Sequence, residues 1–260
     1  MDLGLDGRTA IVTGAGRGIG LAITKTLLAE GVSVVGAART ITAELRATGA
    51  VTVPVDLATT TGATELAAQA TAALGGVDIL VNNVGGADFN ALNGFLDIDD
   101  ETWRRTFDLN FYSAVRMTRA ALPSLVERHG TVINVSSIVG RAPGAAVADY
   151  GVAKAALTAL GKAIAEQFGP RGVRVNTISP GPVRTAFWES AAGPGGKIAA
   201  ANGIRVEEFL PQLPSTVGMT TGRLIEPAEI AAQVAFLASD HARSIVGADL
   251  IVDGGALKTV

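Results

Sequence analysis

A glycine-rich stretch near the amino terminus, Thr13-Gly14-Ala15-Gly16-Arg17-Gly18-Ile19-Gly20, decides the fold class. It follows the short apolar segment Thr9–Thr13 and leads into Gly18–Glu30, where apolar residues have helical spacing. Glycines between a strand and a helix let the backbone approach a pyrophosphate, whose charge the helix N-terminus stabilises. The spacing is Gly-x-x-x-Gly-x-Gly rather than Gly-x-Gly-x-x-Gly, so a plain turn is the alternative interpretation.

Segments rich in valine and isoleucine recur along the rest of the chain and predict buried strands. They are Thr9–Thr13, Val32–Ala37, Val51–Val55, Val77–Val81, Thr131–Val135, Val173–Ile178 and Asp249–Val252. Segments with an apolar spacing of about 3.6 residues lie between them. Because several strands are apolar throughout, helices should cover both faces of the sheet. The sequence therefore predicts an α/β fold with a doubly wound parallel sheet, in one domain over residues 1–260.

Composition and charge exclude several classes of protein. The 260 residues carry a net charge of −3 and 17% charged side chains, and the mean hydropathy is +0.37, which excludes disorder driven by charge. Cysteine is absent, which excludes disulfides and thiol chemistry. We expect no nucleic-acid partner, since no basic cluster interleaves with aromatic residues.

The sequence also predicts neither a membrane-spanning segment nor a metal site. The longest stretch without a charged residue, Phe209–Gly222, is broken by prolines, so no membrane span is expected. The two histidines, His129 and His241, lie far apart without metal-ligand spacing, so no metal is expected. The start Met1-Asp2-Leu3 is acidic where a secretory signal would be basic, which favours a cytoplasmic protein.

The end of the second predicted strand, Gly36-Ala37-Ala38-Arg39-Thr40, bears on the choice of dinucleotide. A ribose 2′-hydroxyl requires an acidic acceptor about 20 residues past the glycines, whereas a 2′-phosphate requires a cation. No acid is present here, and Arg39 follows a small residue, while Arg17 could add a second cation. We expect a preference for NADP(H), with NAD(H) as the weaker alternative, unless both arginines are ordinary surface charges.

A tyrosine and a lysine with helical spacing suggest acid–base chemistry. Tyr150 and Lys154 open a predicted helix that ends at Phe168, and their spacing places both on one face. A nearby cation favours the phenolate, so we expect the pKa of Tyr150 to fall, and the cationic ring of an oxidised nicotinamide would act in the same direction. Such a phenol suits a general acid or base near neutral pH. A surface pair is the alternative when the motif is taken alone.

Two further polar residues accompany this pair. Ser137 ends a predicted strand, where its hydroxyl could bond a substrate carbonyl oxygen, and the amide of Asn110 could hold a water on the lysine side. Both have structural alternatives, since serines often end strands and asparagines often cap helices.

Six motifs resemble those of the short-chain dehydrogenase/reductases and occur in the family's order. The resemblance extends from Gly7 to about Gly255. The motifs are Thr13-Gly-x-x-x-Gly-Ile-Gly, Asn82-Asn83-Val84-Gly85, Asn110, Ser137, Tyr150-x-x-x-Lys154 and Pro180-Gly181-Pro182-Val183-Arg184-Thr185. The resemblance implies a three-layer, Rossmann-like domain with a seven-stranded parallel sheet. It also implies hydride transfer between NAD(P)(H) and a carbonyl/alcohol pair, as in a 3-oxoacyl reductase or a related ketone reductase or alcohol dehydrogenase.

The resemblance also implies a role for each matching residue. Tyr150 would be the acid/base, Lys154 would lower its pKa and bind the nicotinamide ribose, Ser137 would orient the substrate oxygen, and Asn110 would support a water relay. Asn83 would stabilise the sheet. The remaining cofactor-binding residues would be Gly14, Arg17, Gly18, Ile19, Gly20 and Arg39 at the phosphates, Asp56 and Leu57 at the adenine, Asn82 and Gly85 at the ribose, and Pro180, Gly181, Val183 and Thr185 at the nicotinamide.

The chain departs from the family pattern at two places that affect the substrate. Val84 replaces the usual alanine. The segment Ala186–Gly222 is also long, and because long loops are often lids, we expect it to close over substrate. Several apolar residues are candidates for the wall of the substrate pocket and favour an apolar carbonyl compound as substrate. For each residue, ordinary core packing is the alternative. The residues are Phe89, Phe95, Leu96, Ile138, Phe187, Trp188 and Met219.

The resemblance also implies an oligomeric state, and two other functions have to be considered. The family usually forms homotetramers, here through helices predicted at Glu101–Glu127 and Asp149–Phe168 and through the last strand, with a dimer as the alternative. A cofactor-binding regulator or scaffold with little turnover is the rival function. A serine hydrolase would need Gly-x-Ser-x-Gly, and the sequence contains no such motif.

Overall fold

A single parallel sheet organises the part of the chain that the computed structural model describes, residues 2–87, 94–144 and 147–258. Its seven strands have the order β3-β2-β1-β4-β5-β6-β7, which confirms the predicted doubly wound α/β fold. The strands are β1 Thr9–Thr13, β2 Ser33–Ala38, β3 Val51–Pro54, β4 Ile79–Asn82, β5 Thr131–Val135, β6 Arg174–Pro180 and β7 Asp249–Val252. The sequence places β1, β5 and β7 with the observed bounds, and the other four with bounds shifted by a few residues.

Helices connect the strands and cover the sheet. They are α1 Gly18–Ala29, α2 Ala43–Arg46, α3 Gly62–Leu74, α4 Asp100–Phe107, α5 Ser113–Glu127, α6 Ala148–Phe168, α7 Ala186–Glu189, α8 Pro194–Ala201, α9 Val206–Phe209, α10 Leu213–Thr216 and α11 Pro227–Ala238. The helix predicted at Glu101–Glu127 is confirmed, but one π-helical turn, Asp108–Tyr112, lies within it between α4 and α5.

The apolar residues of β1 show why the sheet is covered on both faces. Ala10 and Val12 belong to a buried cluster with residues of α1 and α11. Ile11, between them in sequence, belongs to a second cluster with residues of α3 and α5. Since successive strand residues point to opposite faces, a strand that is apolar throughout requires a helical layer on each side.

The long segment Ala186–Gly222 is folded. It contains α7 to α10, and Val206, Phe209 and Leu213 are buried in the same cluster as α1 and α11. Its closure over a substrate stays a prediction. Across the ranges described, no helix has both the length and the apolar character needed to cross a membrane.

A charged cluster joins the amino-terminal ends of β1 and β4. The carboxylate of Asp78, just before β4, accepts hydrogen bonds from the backbone N–H and the hydroxyl of Thr9, both 2.8 Å. Arg128 donates to the same carboxylate from Nε at 2.9 Å and Nη2 at 3.1 Å. Hydrogen bonds that stabilise the carboxylate keep the pKa of Asp78 below its usual value, although burial acts in the opposite direction.

Candidate active site

The glycine loop after β1 has a backbone that only glycine adopts easily. Gly14 and Gly18 have φ values of 67° and 55°, in the left-handed region. A Cβ atom on Gly20 would lie 2.2 Å from the carbonyl oxygen of Gly14, so this position accepts no larger residue.

The start of α1 is open to an anion. Arg17 is the N-cap residue of α1, and its side chain makes no capping hydrogen bond. The first N–H groups of a helix have no intrahelical acceptor, so those of α1 are available to a phosphate. The loop and the helix start therefore fit the pyrophosphate of a dinucleotide, as the sequence predicts.

Asn83 holds this loop from the neighbouring strand. Its Nδ2 donates to the carbonyl oxygens of Thr13 at 3.0 Å and Gly14 at 3.3 Å. Thr13 returns the contact, because its hydroxyl oxygen accepts from the backbone N–H groups of Asn83 at 2.9 Å and Val84 at 3.1 Å. The side chain of Asn83 therefore supports the glycine loop rather than the interior of the sheet.

The side chain of Asn82 points into the protein instead. Its Nδ2 donates to Thr118 Oγ1 at 3.0 Å and to Asn134 Oδ1 at 2.9 Å, which links β4 to α5 and β5. Its Oδ1 is buried and has no hydrogen-bond partner among the described residues. Both asparagines thus stabilise the sheet, Asn82 between β4 and β5 and Asn83 between the ends of β4 and β1, while contact of Asn82 with a cofactor ribose stays a prediction.

The residues expected at the adenosine end lie at the carboxyl ends of β2 and β3. Arg39 is exposed, as is Arg17, and neither forms an ion pair within the described ranges. Asp56 accepts a hydrogen bond from the backbone N–H of Ala58 at 3.0 Å, and Leu57 is buried beside it. Two unpaired cations at this edge are available to a 2′-phosphate.

The tyrosine and lysine of α6 lie against the end of β5. The side chain of Ser137 lies beside the hydroxyl of Tyr150. The Lys154 amine donates to the carbonyl oxygen of Val135 at 2.9 Å and lies 5.7 Å from the centre of the Tyr150 ring. Only 2% of Lys154 is exposed, so this is not a surface pair.

The pKa of Tyr150 does not fall in this structure as the sequence predicted. Burial raises the pKa of Tyr150 to about 12, and the neighbouring Ser137 hydroxyl offsets only part of that effect. Burial also lowers the pKa of Lys154 to about 8. The expectation was wrong, because loss of hydration disfavours the charged form of both groups.

Asn110 lies on the π-helical turn and is fully buried. Its Nδ2 donates to the carbonyl oxygens of Gly86 at 2.9 Å and Thr106 at 3.0 Å, and its Oδ1 accepts from the N–H of Gly86 at 2.9 Å. Both amide hydrogens are therefore engaged by the protein. A water held by this side chain, as the sequence suggested, would have to donate to the remaining lone pair of Oδ1.

Gly85 lies between the side-chain amide of Asn110 and the side-chain amine of Lys154. A Cβ atom on this residue would lie 2.8 Å from Asn110 Oδ1 and 2.9 Å from Lys154 Nζ. The absence of a side chain at Gly85 thus allows β4, the π-helical turn and α6 to place polar groups around one point.

The loop after β6 completes this edge of the sheet. The N–H of Gly181, which follows Pro180, donates to the carbonyl oxygen of Val252 at 2.9 Å, and Val183 is buried in a bridge with Ile225. The methyl carbon of Thr185 lies 3.1 Å from the Cβ position of Gly18. The structure therefore joins the predicted nicotinamide loop to the predicted phosphate loop.

The predicted substrate walls do not form one described surface. Phe95 and Leu96 are 66% and 95% exposed. Trp188 stacks edge-on against Phe187 at 5.0 Å and, like the buried Met219, packs in the apolar core, so ordinary packing accounts for both. Ile138 is half-buried next to Ser137. Phe89 lies outside the described residues.

Sequence reasoning missed Thr106 and Asp149, which contact the site residues. Thr106 contacts Asn110 through its carbonyl oxygen and Asp149 through its hydroxyl. The only available signal was an acidic residue directly before Tyr150, which has no meaning without the fold.

A glycine loop at a helix N-terminus, followed at the same sheet edge by a half-buried tyrosine and a buried lysine, defines the class of dinucleotide-dependent oxidoreductases. A family model described as enoyl-(acyl carrier protein) reductase matches residues 14–256. The chain belongs to the short-chain dehydrogenase/reductase family.

Curated and solved relatives cover the whole fold. The chain is 34% identical to the 3-oxoacyl-(acyl-carrier-protein) reductase FabG of Vibrio cholerae, over 97% of this chain and 98% of that protein. L-sorbose reductase of Gluconobacter frateurii, solved with NADPH and L-sorbose, is 32% identical with a TM-score of 0.92 and full coverage of both chains.

A third relative is an NADPH-bound short-chain oxidoreductase of Pseudomonas aeruginosa, whose structure is described as containing an atypical catalytic center. It is 29% identical with a TM-score of 0.84, over 97% of this chain and 98% of that chain. Together with the fold, the relatives identify the present chain as an NAD(P)-dependent oxidoreductase of carbonyl and alcohol compounds.

Proposed function

We propose that this protein is an NADP(H)-preferring reductase or dehydrogenase that interconverts a ketone and a secondary alcohol, with Tyr150 as the proton donor and acceptor. The observation that carries the proposal is the buried amine of Lys154, which bonds the carbonyl oxygen of Val135 and lies 5.7 Å from the centre of the Tyr150 ring, with Ser137 beside the tyrosine. A hydroxyl pair of this kind holds a carbonyl oxygen and supplies it with a proton.

The cradle of the cofactor consists of residues that the structure already brings together. The glycine loop and the start of α1 hold the pyrophosphate, and the loop from Pro180 to Thr185 lies against Gly18 where the nicotinamide would follow. A bound nicotinamide would supply or take up the hydride. Tyr150 and Lys154 on α6 would hold its ribose, and Asp56 and Leu57 are the residues proposed at the adenine.

In the direction of reduction, the phenol of Tyr150 gives its proton to the carbonyl oxygen as the carbonyl carbon receives hydride. The high pKa of Tyr150 keeps this proton in place at neutral pH. Ser137 holds the same oxygen by a hydrogen bond, and the ammonium of Lys154 stabilises the phenolate that remains. In the direction of oxidation, the phenolate of Tyr150 accepts the alcohol proton, and the positive charge that an oxidised nicotinamide would supply favours this phenolate.

Replacement of Tyr150 by phenylalanine tests this proposal. Tyr150→Phe removes the proton donor and is expected to lower kcat by about 10²-fold or more, while NADPH affinity stays within about twofold. Tyr112→Phe is the matched control, because Tyr112 is the only other tyrosine and its exposed hydroxyl makes no described hydrogen bond.

Turnover is measured by nicotinamide absorbance against a panel of ketones and alcohols, and affinity by NADPH fluorescence. Equal turnover of Tyr150→Phe and Tyr112→Phe would contradict the role of Tyr150. A wild-type chain that binds NADPH and turns over no carbonyl compound would favour the regulator or scaffold instead.

The preference for NADP(H) rests on Arg17 and Arg39, which lie exposed and unpaired in the described chain. Arg39→Ala is expected to weaken NADPH binding by about tenfold, the effect of losing one charge-assisted contact, and to leave NADH binding unchanged. Arg46→Ala, which removes an exposed cation from nearby α2, is the control for net charge. Tighter binding of NADH than of NADPH by the wild-type chain would overturn the assignment.

The substrate we propose is an apolar carbonyl compound, in a pocket between Tyr150 and the segment Ala186–Gly222. Half-buried Ile138 beside Ser137 supports an apolar wall, as does Phe187 on α7. We propose that the segment closes over the substrate, which would protect it from protease when cofactor and substrate are bound. Turnover should be compared for aromatic ketones, 3-oxoacyl thioesters and ketoses. The last two classes stand for the acyl and sugar substrates in the relatives' names, and faster turnover of either would contradict this proposal.

We also propose a homotetramer. Tyr112 on the turn before α5 and Ile251 on the edge strand β7 are 44% and 38% exposed, so both surfaces offer apolar area to another copy. Light scattering coupled to size exclusion measures the mass, and a monomer at micromolar concentration would contradict the proposal.

A further inference from the structure

A buried hydrogen bond joins the two helices that carry the site. Thr106, near the end of α4, donates from its hydroxyl to the carboxylate of Asp149, in the first turn of α6. Both residues are more than nine-tenths buried. Asp149 directly precedes Tyr150, so this bond links the helix start that carries the tyrosine to α4.

Thr106 also holds Asn110. Its backbone carbonyl oxygen accepts from Nδ2 of Asn110 at 3.0 Å, across the point where α4 gives way to the π-helical turn. The other hydrogen bonds of the Asn110 amide go to Gly86, next to the glycine where the amide and Lys154 converge. Thr106 therefore contacts the amide of Asn110 through its backbone and α6 through its side chain.

We propose that Thr106 and Asp149 are positioning residues that fix the amide of Asn110 relative to Lys154 and Tyr150. Neither touches the reacting atoms. Their hydrogen bond holds α4 against the start of α6, so the π-helical turn presents Asn110 to Gly86 and the lysine in one arrangement. This inference deepens the proposed function and rests on it.

A purely structural role has a different signature. An acidic residue in the first turn of a helix stabilises the helix through its dipole, and Asp149 has that location whether or not the reaction depends on it. A residue with only this role would change stability and leave turnover per folded molecule intact. A positioning role instead lowers kcat at unchanged cofactor affinity.

Thr106→Val is the direct test, because it removes the hydroxyl and keeps the shape. We expect kcat to fall about tenfold, since small displacements of site groups are costly, while the NADPH dissociation constant stays within about twofold. Thr106→Ser restores the hydroxyl and should recover most of kcat. Asp149→Asn keeps an acceptor oxygen for Thr106 and should also retain kcat, whereas Asp149→Ala should lose it.

Thr131→Val is the matched control for stability. Thr131 is also buried and makes one hydroxyl hydrogen bond, to the carbonyl oxygen of Arg174 at 3.2 Å, but it lies at the opposite end of the strands. We expect Thr131→Val to lower the melting temperature without lowering kcat.

The side-chain amide signals of Asn110, followed by NMR, give a second measurement that needs no turnover. They should shift in Thr106→Val and return in Thr106→Ser. Unchanged kcat in Thr106→Val, failure of the serine variant to rescue, or unmoved amide signals would each overturn the proposal. Shifted signals in a protein that turns over no carbonyl compound would instead count against the proposed function.

Discussion

At the scale of single residues, the site consists of groups whose charges are disfavoured until a ligand arrives. Tyr150 and Lys154 are both buried enough that each prefers its neutral form more than it would in water. The amine bonds a strand carbonyl rather than a carboxylate. A cationic ring and a charged phosphate bound nearby would therefore change the protonation of this pair more than they would change an exposed pair.

Gly85 provides a test at this scale. Gly85→Ala would place a methyl group within 3 Å of both Asn110 Oδ1 and Lys154 Nζ, so one of them must move. We expect kcat to fall about tenfold or more and the protein to lose about 1–3 kcal/mol of stability, as overpacking usually costs. Steady-state kinetics and thermal unfolding measure the two effects.

Gly86→Ala is the matched control for that change. A Cβ atom there would meet only Leu109 Cδ2, at 4.0 Å, which is an ordinary contact. Its backbone hydrogen bonds with Asn110 do not require a glycine. If the two alanine variants lost activity equally, crowding at Gly85 would not be the cause.

The sequence could predict which residue types meet at the site but not their ionisation. The spacing of Tyr150 and Lys154 follows from helix geometry, and the structure places both on α6 beside Ser137. The direction of the pKa shifts depends on how much water the surrounding elements remove, which the local sequence does not contain. Alternation likewise predicts that Asn82 and Asn83 face opposite sides without saying which side each one faces.

At the scale of elements, the π-helical turn matters most. It places Asn110 in contact with Gly86, and insertions of this kind often occur at functional sites. The sequence predicts one uninterrupted helix here, since one widened turn hardly changes the apolar spacing over the residues on either side. The glycine loop was easier to predict, because its positive φ values require the glycines that the sequence displays.

The two asparagines that follow one another at the end of β4 should have separable effects. Asn83→Ala removes the side chain that holds Thr13 and Gly14, so we expect NADPH affinity to fall by about tenfold, or about 1.4 kcal/mol. Asn82→Ala removes two buried hydrogen bonds and should lower stability by about 1–3 kcal/mol instead.

Fluorescence titration and denaturant unfolding measure this pair of variants. Asn83→Asp is a further comparison, because it retains the size of the side chain and removes the donor. A larger loss of NADPH affinity in Asn82→Ala than in Asn83→Ala would contradict this division of effects.

At the scale of the whole molecule, the two ends of the strands have different tasks. The carboxyl ends carry the loops of the candidate site, whereas the amino ends of β1 and β4 are joined by Asp78, Thr9 and Arg128. The seven-stranded parallel arrangement was predictable from apolar segments and the family resemblance. The charged cluster was not, because its members are separated by more than forty residues in sequence.

Asp78→Asn tests the cluster through pH. The pKa of Asp78 is lowered in the folded state, so its carboxylate stabilises the fold above the ordinary pKa near 3.8, and this contribution is lost as pH falls through the lowered value. At pH 7 we expect the variant to lose about 2 kcal/mol, the range for hydrogen bonds to a charged group. The difference from wild type should shrink below about pH 4.

Chemical denaturation across this pH range measures the difference, and kcat per folded molecule should not change. A stability difference that stayed constant from pH 7 to pH 3 would show that the charge of Asp78 is not what stabilises the cluster.

The pairing of β1 with β4 also bears on how the protein is made. Ala10 lies opposite Ile79, with two other strands between them in the chain. Contacts between distant segments form late and slowly. Because Gly181 bonds Val252 and Val183 forms a bridge with Ile225, a growing chain on the ribosome cannot complete the dinucleotide cradle until β7 has emerged, so cofactor capture should follow synthesis of nearly the whole polypeptide.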